Sequence, residues 1–386
     1  MKKKVLFVAS LYRHLTSFHI PYIHYFQSIG YEVYAGAGED VKVREELEMI
    51  GVQCIDISFN RNPFSKGNIT AYQQLKKLFS EMNFELVHVH TPVAALITRK
   101  AFKLMSNHGK IVYTAHGFHF FEGAPKKNWF FYYTAEKIAA KWTDHLITIN
   151  KEDYYNAQKF LPNNQVSYIH GVGVESNSIR LSEEEKANLK KEIGLSADQL
   201  MISYVAELNK NKNHQFLLRI WLQLKERCPQ AVLCLIGTGE LEQELKELIT
   251  AKNLEDIYFL GYRRDVPSIL QISDIVTLLS YREGLPKSIM EAMVEGLPCI
   301  VTNTRGLRDL VFNEENGYVV KHDDEEALVN AFEQLLKSKE LREIMGNKGK
   351  VLVQPYLLEN VLLEYVAVYE KILGDVNGSE VGTNSI

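Results

Sequence analysis

Two glutamates in one short stretch carry the clearest chemistry in this chain. In SDIVTLLSYREGLPKSIMEAMVEGLPCIVTN, residues 273–303, Glu283 lies in a loop after a strand-like run and Glu291 lies inside the helix that should follow. Pro286 suits the first turn of that helix, and Gly296 with Pro298 suits its end. Five residues past Pro286, Glu291 sits about 7.5 Å further along at 1.5 Å per residue. A helix start exposes free N–H groups and a partial positive charge, so a diphosphate fits between two carboxylates that accept hydroxyl hydrogen bonds. Taken alone, the same two glutamates also fit solvated positions at a helix end.

Other candidate groups are more scattered. Lys212 in VAELNKNKNH follows a strand-like run and can neutralise phosphate. His116 follows KIVYTA, at what should be the carboxyl end of a strand; a satisfied loop residue is the alternative. His119 is a weaker candidate that can equally cap or pack locally. No Asp-x-Asp pair follows a strand, and Asp323, Asp324, Glu325 and Glu326 read as the start of a helix, where acidic side chains suit the dipole. No metal and no cofactor is therefore expected. The first loop, SLYRHLTSFHIP, lacks G-x-G-x-x-G, which argues against a dinucleotide oxidoreductase.

These residues need a scaffold that brings strand ends together. Short β-rich runs alternate with amphipathic ones: KVLFVA, EVYAGA, VQCIDI, LVHVH, KIVYTA and HLITIN, after which QVSYIHGVGVES breaks the pattern with two glycines. A second series follows with MISYVA, AVLCLIG, IYFLG, DIVTLLS and PCIVTN. This is the rhythm of two parallel sheets covered on both faces, which bind ligands beyond the strands' carboxyl ends. The boundary falls near Gly171 and Gly173, giving residues 1–172 and 173–355, then a helix over 356–374 that should pack back across the junction, and a polar, disordered tail over 375–386.

The chain has 386 residues, 46% of them apolar, enough for two cores, and its net charge of -4 gives no footprint of a nucleic-acid binder. Cys54, Cys228, Cys234 and Cys299 stand singly in apolar runs, as reduced core residues of a cytoplasmic protein would. The opening MKKKVLFVAS has too short an apolar run for a signal peptide, and no run reaches spanning length. Any membrane contact is then peripheral, at the inner face. The stretch 118–142 mixes aromatic residues with Lys126, Lys127, Lys137 and Lys141, which suits a headgroup interface, although a core role fits much of it as well.

The run YREGLPKSIMEAMVEGLP, with GYRRDVPSILQISDIVTLLS before it and IVTNTRGLRDLV after it, closely resembles the donor signature of retaining glycosyltransferases of family 4. YTAHGFHFFEGAPKKNW, HLITINKEDY and GVGVES resemble that family's bacterial exopolysaccharide and capsule branch. The resemblance implies an α/β GT-B fold, two doubly wound Rossmann-like domains facing a central cleft, with the acceptor on the first and a nucleotide-sugar donor on the second. It implies that Glu283 contacts the transferred sugar, Glu291 holds the ribose, and Gly284, Leu285, Pro286 and Lys287 line the sugar and phosphate, Pro286 without an N–H to give. His116 matches the histidine that approaches the sugar and phosphate, and Lys212 the phosphate lysine. Where family members usually carry a second phosphate cation, an arginine, this chain has Glu207, a repulsive neighbour unless it pairs with a group such as Lys210. The expected activity is transfer of a sugar, from a UDP-sugar by that resemblance, to a lipid-linked saccharide. The alternatives are a nucleotide-sugar 2-epimerase and a non-catalytic nucleotide-sugar-binding protein.

Overall fold

The computed structural model describes residues 2–38, 40–63, 65–105, 109–176 and 180–374. Its contacts divide the chain into two units, Met1–Gly173 with Glu359–Ile386, and Val174–Leu358. The polar tail expected over 375–386 lies outside the described residues.

The first unit is built on a seven-stranded parallel sheet: β1 (Lys4–Leu11), β2 (Glu32–Gly38), β3 (Gln53–Asp56), β4 (Leu86–His90), β5 (Lys110–Ala115), β6 (His145–Thr148) and β7 (Val166–Tyr168). The order is β3-β2-β1-β4-β5-β6-β7, so the winding reverses between β1 and β4. Val5, Leu6, Phe7 and Val8 are all fully buried, because both faces of β1 are covered and alternation gives way to a continuous apolar run. Two pieces differ from the sequence reading. β7 lies inside the segment read as a break, and the glycines there, Gly171 (φ 87°) and Gly173 (φ 83°), turn the chain only after that strand ends. The expected first loop is largely helical, Tyr12–Phe18, because Tyr12 and Leu15 are spaced to bury one face.

The helix Leu358–Leu373 belongs to this unit by its contacts. It starts two residues later than expected, since Gln354–Tyr356 forms a 3₁₀ turn first. Val361, Tyr365, Val368 and Tyr369 fall on one stripe and pack with Phe7, Tyr22 and Phe26. At about 1.5–3 kcal/mol for each large apolar side chain buried, that stripe alone ties the helix firmly to the sheet.

The second unit carries a six-stranded parallel sheet: β8 (Leu200–Val205), β9 (Ala231–Ile236), β10 (Ile257–Gly261), β11 (Ile275–Leu278), β12 (Cys299–Thr302) and β13 (Gly317–Val320). Its order, β10-β9-β8-β11-β12-β13, reverses between β8 and β11. The acidic cluster at its edge opens a helix as read: Asp324 Oδ1 accepts from the Ala327 amide at 3.1 Å, capping Glu325–Lys337. No helix among the described residues is long and apolar enough to cross a membrane.

Candidate active site

Beyond β8 the chain turns through a 3₁₀ segment, Lys210–Lys212, with the Asn209 side chain accepting from the Lys212 amide at 3.1 Å. Beyond β11 runs the loop Tyr281–Pro286, then the helix Lys287–Glu295. Because β8 and β11 are neighbours at the reversal, these two loops meet. The Lys212 Nζ lies 2.6 Å from Glu283 Oε1, and the two side chains are only 20% and 10% exposed.

The two loops are braced at several points. The Tyr204 hydroxyl donates to the Lys212 carbonyl and accepts from the Leu279 amide, the latter at 2.8 Å, so one buried phenol ties both strand ends. The Tyr281 amide donates to the Asn211 carbonyl, and Asn211 Nδ2 to the Arg282 carbonyl, each at 2.9 Å. Arg305, 3% exposed, donates from Nε to the Glu283 carbonyl at 3.1 Å. Gly306 (φ 78°) must be glycine, since a Cβ there would come within 2.1 Å of the Gly284 carbonyl oxygen. Glu291, four residues into the helix, is 3.5 Å from Lys287 Nζ, and burial pushes its carboxyl above the ordinary range. The loop thus presents two carboxylates, each held by a lysine, beside the first-turn amides of a helix. Such a cradle can exchange lysine partners for an anionic ligand.

In the first unit, the carboxyl ends of β1, β4 and β5 bring His14, His19, His90 and His116 together. His116 Nε2 is 3.2 Å from His14 Nε2 and 3.2 Å from His90 Nδ1. The loop after β5 is held because the buried Asp153 carboxylate accepts from the Phe118 amide at 3.0 Å. Thr91, just past β4, has φ 61°, a costly conformation for a β-branched residue, and its Oγ1 accepts from the Ser10 amide at 2.9 Å. A cleft of about 1080 Å³ opens beside these groups, with Arg13, Arg61 and Lys127 among its lining and Phe18, Leu96 and Phe131 on its apolar walls. One wall is fixed by the buried Arg99–Glu136 ion pair at 2.9 Å, with the Arg99 guanidinium 4.2 Å from the Tyr113 ring centre.

The comparisons with known proteins match this arrangement. Residues 185–351 match the family described as Glycosyl transferases group 1, and residues 4–150 match Glycosyl transferase 4-like. A Bacillus subtilis protein that carries the name glycosyltransferase EpsD is 37% identical over 356 residues, 91% of this chain and 92% of its own length. The chain belongs to glycosyltransferase family 4. The Escherichia coli UDP-Gal:alpha-D-GlcNAc-diphosphoundecaprenol alpha-1,3-galactosyltransferase is 32% identical, with 76% of each chain covered. Among solved structures, Anabaena Alr3699/HepE in complex with UDP and glucose superposes with a TM-score of 0.79 over 96% of this chain and 100% of its own. At 19% identity that likeness speaks for the fold, which is GT-B.

Two expectations are revised in this family-4 enzyme, and a third reading is divided. Glu207 does not pair with Lys210; it is exposed, and its Oε2 accepts from Asn209 Nδ2 at 3.0 Å. Pro286 is the cap, in extended conformation with ψ 120°, and the helix starts at Lys287. The stretch 118–142 divides: Phe118 and Phe120 are core, whereas Phe130, Phe131 and Ile138 are 70%, 62% and 48% exposed. His119 stacks on Tyr132, ring centres 4.6 Å apart. Sequence reasoning missed Arg305, although it lies in the quoted run IVTNTRGLRDLV, and missed the partners of His116. LVHVH did carry a signal, since alternate residues of one strand share a face and so place His88 with His90.

Proposed function

We propose that this glycosyltransferase moves a hexosyl or N-acetylhexosaminyl group from a UDP-sugar to a growing, lipid-linked saccharide in bacterial exopolysaccharide or capsule assembly, with retention of anomeric configuration. The observation that carries this reading is the Lys212–Glu283 ion pair at the carboxyl ends of neighbouring central strands. A donor diphosphate offers Lys212 a stronger partner than one carboxylate. As Lys212 moves to it, Glu283 is released to accept hydroxyl hydrogen bonds from the sugar and to favour positive charge growing on its ring. Glu291 accepts from the ribose. The amides of Gly284, Leu285 and Lys287, with the helix end behind them, take phosphate oxygens. The departing β-phosphate accepts the proton of the acceptor hydroxyl as the new bond forms on the same face. His116 contacts the transferred sugar. Fixed groups carry the leaving charge, so transfer needs no metal.

The cleft of the first unit suits the acceptor, because Arg13, Arg61 and Lys127 beside apolar walls match a diphosphate joined to a hydrocarbon chain. Exposed Phe130 and Phe131, next to exposed Lys126 and Lys127, suit peripheral contact with an anionic membrane face. Two comparisons support the substrates: the printed name of the Escherichia coli relative, and an Anabaena neighbour solved with UDP-glucose. The test is a panel of UDP-sugars with polyprenyl-diphosphate acceptors, in EDTA, read by UDP release and by the anomeric coupling of the product. The reading stands on UDP release with a retained linkage. It falls if no acceptor drives UDP release, if the product is inverted, or if EDTA abolishes transfer and Mg²⁺ restores it.

A further inference from the structure

A second cavity, of about 590 Å³, adjoins the cleft of the first unit. Pro63, Leu96 and Ala135 line both, so one opens into the other. Its walls come from three helices: Ile69 and Tyr72 of Gly67–Glu81, Ile97 of Pro92–Leu104, and Ile138 of Thr134–Ala139, with Trp142 from the 3₁₀ turn Ala140–Trp142 that follows. Ile69 is 61% exposed, so the core of the unit leaves this apolar surface uncovered. Asn68, a buried polar residue of the lining, is already satisfied within the protein. Its Oδ1 accepts from the Asn60 amide and its Nδ2 donates to the Asn62 carbonyl, each at 2.9 Å. The walls are also fixed in place. Arg99 donates from Nε to the Ala95 carbonyl at 3.1 Å, and from its two terminal nitrogens to the Thr143 hydroxyl at 3.2 Å and to Glu136 at 2.9 Å, which ties the second helix to the third.

The chemistry changes along this path. At the cleft end stand Arg13, Arg61 and Lys127, while Glu136 there is held by Arg99. Among the described residues that line the second cavity there is no carboxylate, and its two charged groups are the exposed lysines Lys66 and Lys100. The Lys100 ammonium lies 5.7 Å from the centre of the Tyr72 ring, as when a stem covers apolar surface and keeps its charge in water. A ligand that matches the path carries an anionic group at one end and a chain without hydrogen-bonding groups at the other. A saccharide does not match the second cavity, because its hydroxyls would lose water there and find few partners. We propose that this cavity holds the hydrocarbon chain of a prenyl diphosphate, running away from a diphosphate set among Arg13, Arg61 and Lys127. The proposal builds on the lipid-linked reading of the acceptor, and it assigns the course of the chain and the residues that select it. Each CH₂ buried there strengthens binding about four-fold, at about 0.8 kcal/mol.

Calorimetric titration of the full-length protein with farnesyl diphosphate and with isopentenyl diphosphate, both below micelle-forming concentrations, tests the assignment. Farnesyl diphosphate should bind at least about ten-fold more tightly, since several more CH₂ groups enter the groove. Ile69→Glu combined with Ile138→Glu, both at exposed positions that should tolerate charge, is expected to bring that ratio toward one. Ile344→Glu, at an exposed position on the second unit, should keep the parent ratio. A farnesyl diphosphate bearing a benzophenone at the far end of its chain should label peptides within 67–81, 92–104 or 134–142. Equal affinity for the two diphosphates, a parent ratio in the double variant, or labelling elsewhere would overturn the proposal. Loss of flotation with phosphatidylglycerol vesicles in a double variant that keeps the parent ratio would assign the groove to the bilayer instead, and the proposal would fall. Labelling of the groove without UDP release on any lipid-linked acceptor would sink the transfer reading and leave the chain site standing; transfer with the label elsewhere would do the reverse.

Discussion

The Lys212–Glu283 cradle of the second unit and the histidine cluster of the first occupy the same place in their sheets, the carboxyl ends of strands at the reversal of winding. Their electrostatics are opposite. In the cradle, Glu283 and Glu291 each face a lysine, at 2.6 Å and 3.5 Å, and the charges are matched before any ligand arrives. In the cluster, burial strips the rings of charge and leaves nitrogens without partners. A shared topology therefore supplies a place, and the residue types decide whether that place carries matched charges or neutral rings.

The largest expected effect of this contrast is on acid stability. His14 and His88 are pushed down by burial to about 4 and about 3, and His19, His90 and His116 are lowered as well. Unfolded histidines titrate near 6.5. Below that point the unfolded chain binds protons that the folded unit refuses, so stability is intact above about pH 6.5 and falls as pH drops toward 4. The loss is about 1.4 kcal/mol per pH unit for each histidine kept neutral. The described part of the second unit has only His214 and His322 lowered in this way. Hydrogen exchange at about pH 7.5 and pH 5 should show β1, β4 and β5 losing protection well before β8 and β11. Equal loss in both units would remove the contrast.

In the cradle, Lys212→Ala removes the proposed phosphate partner and also strands Glu283. The expected cost is about 1.5–3 kcal/mol in kcat/KM, the range for hydrogen bonds to charged groups, together with a lower Tm. Adding Glu283→Gln should recover the Tm and leave transfer impaired, because the lone carboxylate is gone and the phosphate contact is still missing. Melting curves and kinetics on the single and double variants check both halves. If the double variant melts below Lys212→Ala, the pair is not the unit it is taken to be.

A smaller effect should separate the two glutamates. Glu283→Gln should chiefly lower kcat, through charge that develops in the transition state, whereas Glu291→Gln should chiefly raise the donor KM, because ribose contacts are alike in ground and transition states. Ten-fold or somewhat more in either parameter corresponds to about 1.5 kcal/mol. Wild-type kinetics in both would move the donor site elsewhere. The smallest effect concerns the exposed edge: Lys126→Glu with Lys127→Glu should weaken flotation with anionic vesicles by about 1 kcal/mol per lysine, less in high salt. Unchanged flotation would end the membrane reading.

How far these sites could be read in advance depended on how local they are. Glu283, Gly284, Lys287 and Glu291 lie within one strand, loop and helix, so spacing alone places them on one element. His14 and His116 are 102 residues apart, and no local pattern reports their meeting. The segment Tyr12–Phe18 was misread because glycine-poor polar residues hid the buried spacing of Tyr12 and Leu15. β7 was missed because three residues are too few to alternate visibly.

Sequence by itself determined the two runs of parallel strands and the charged loop at the end of β11, since hydrophobic period and turn chemistry act over a few residues. It also carried the run that resembles the family's donor signature. Only the tertiary structure decided that Lys212 and Glu283 hold each other, that Arg305 braces their loop, and that four histidines share one buried pocket. Those are contacts between strands brought side by side by crossover connections, and the order of strands in a sheet is set by packing across the whole unit.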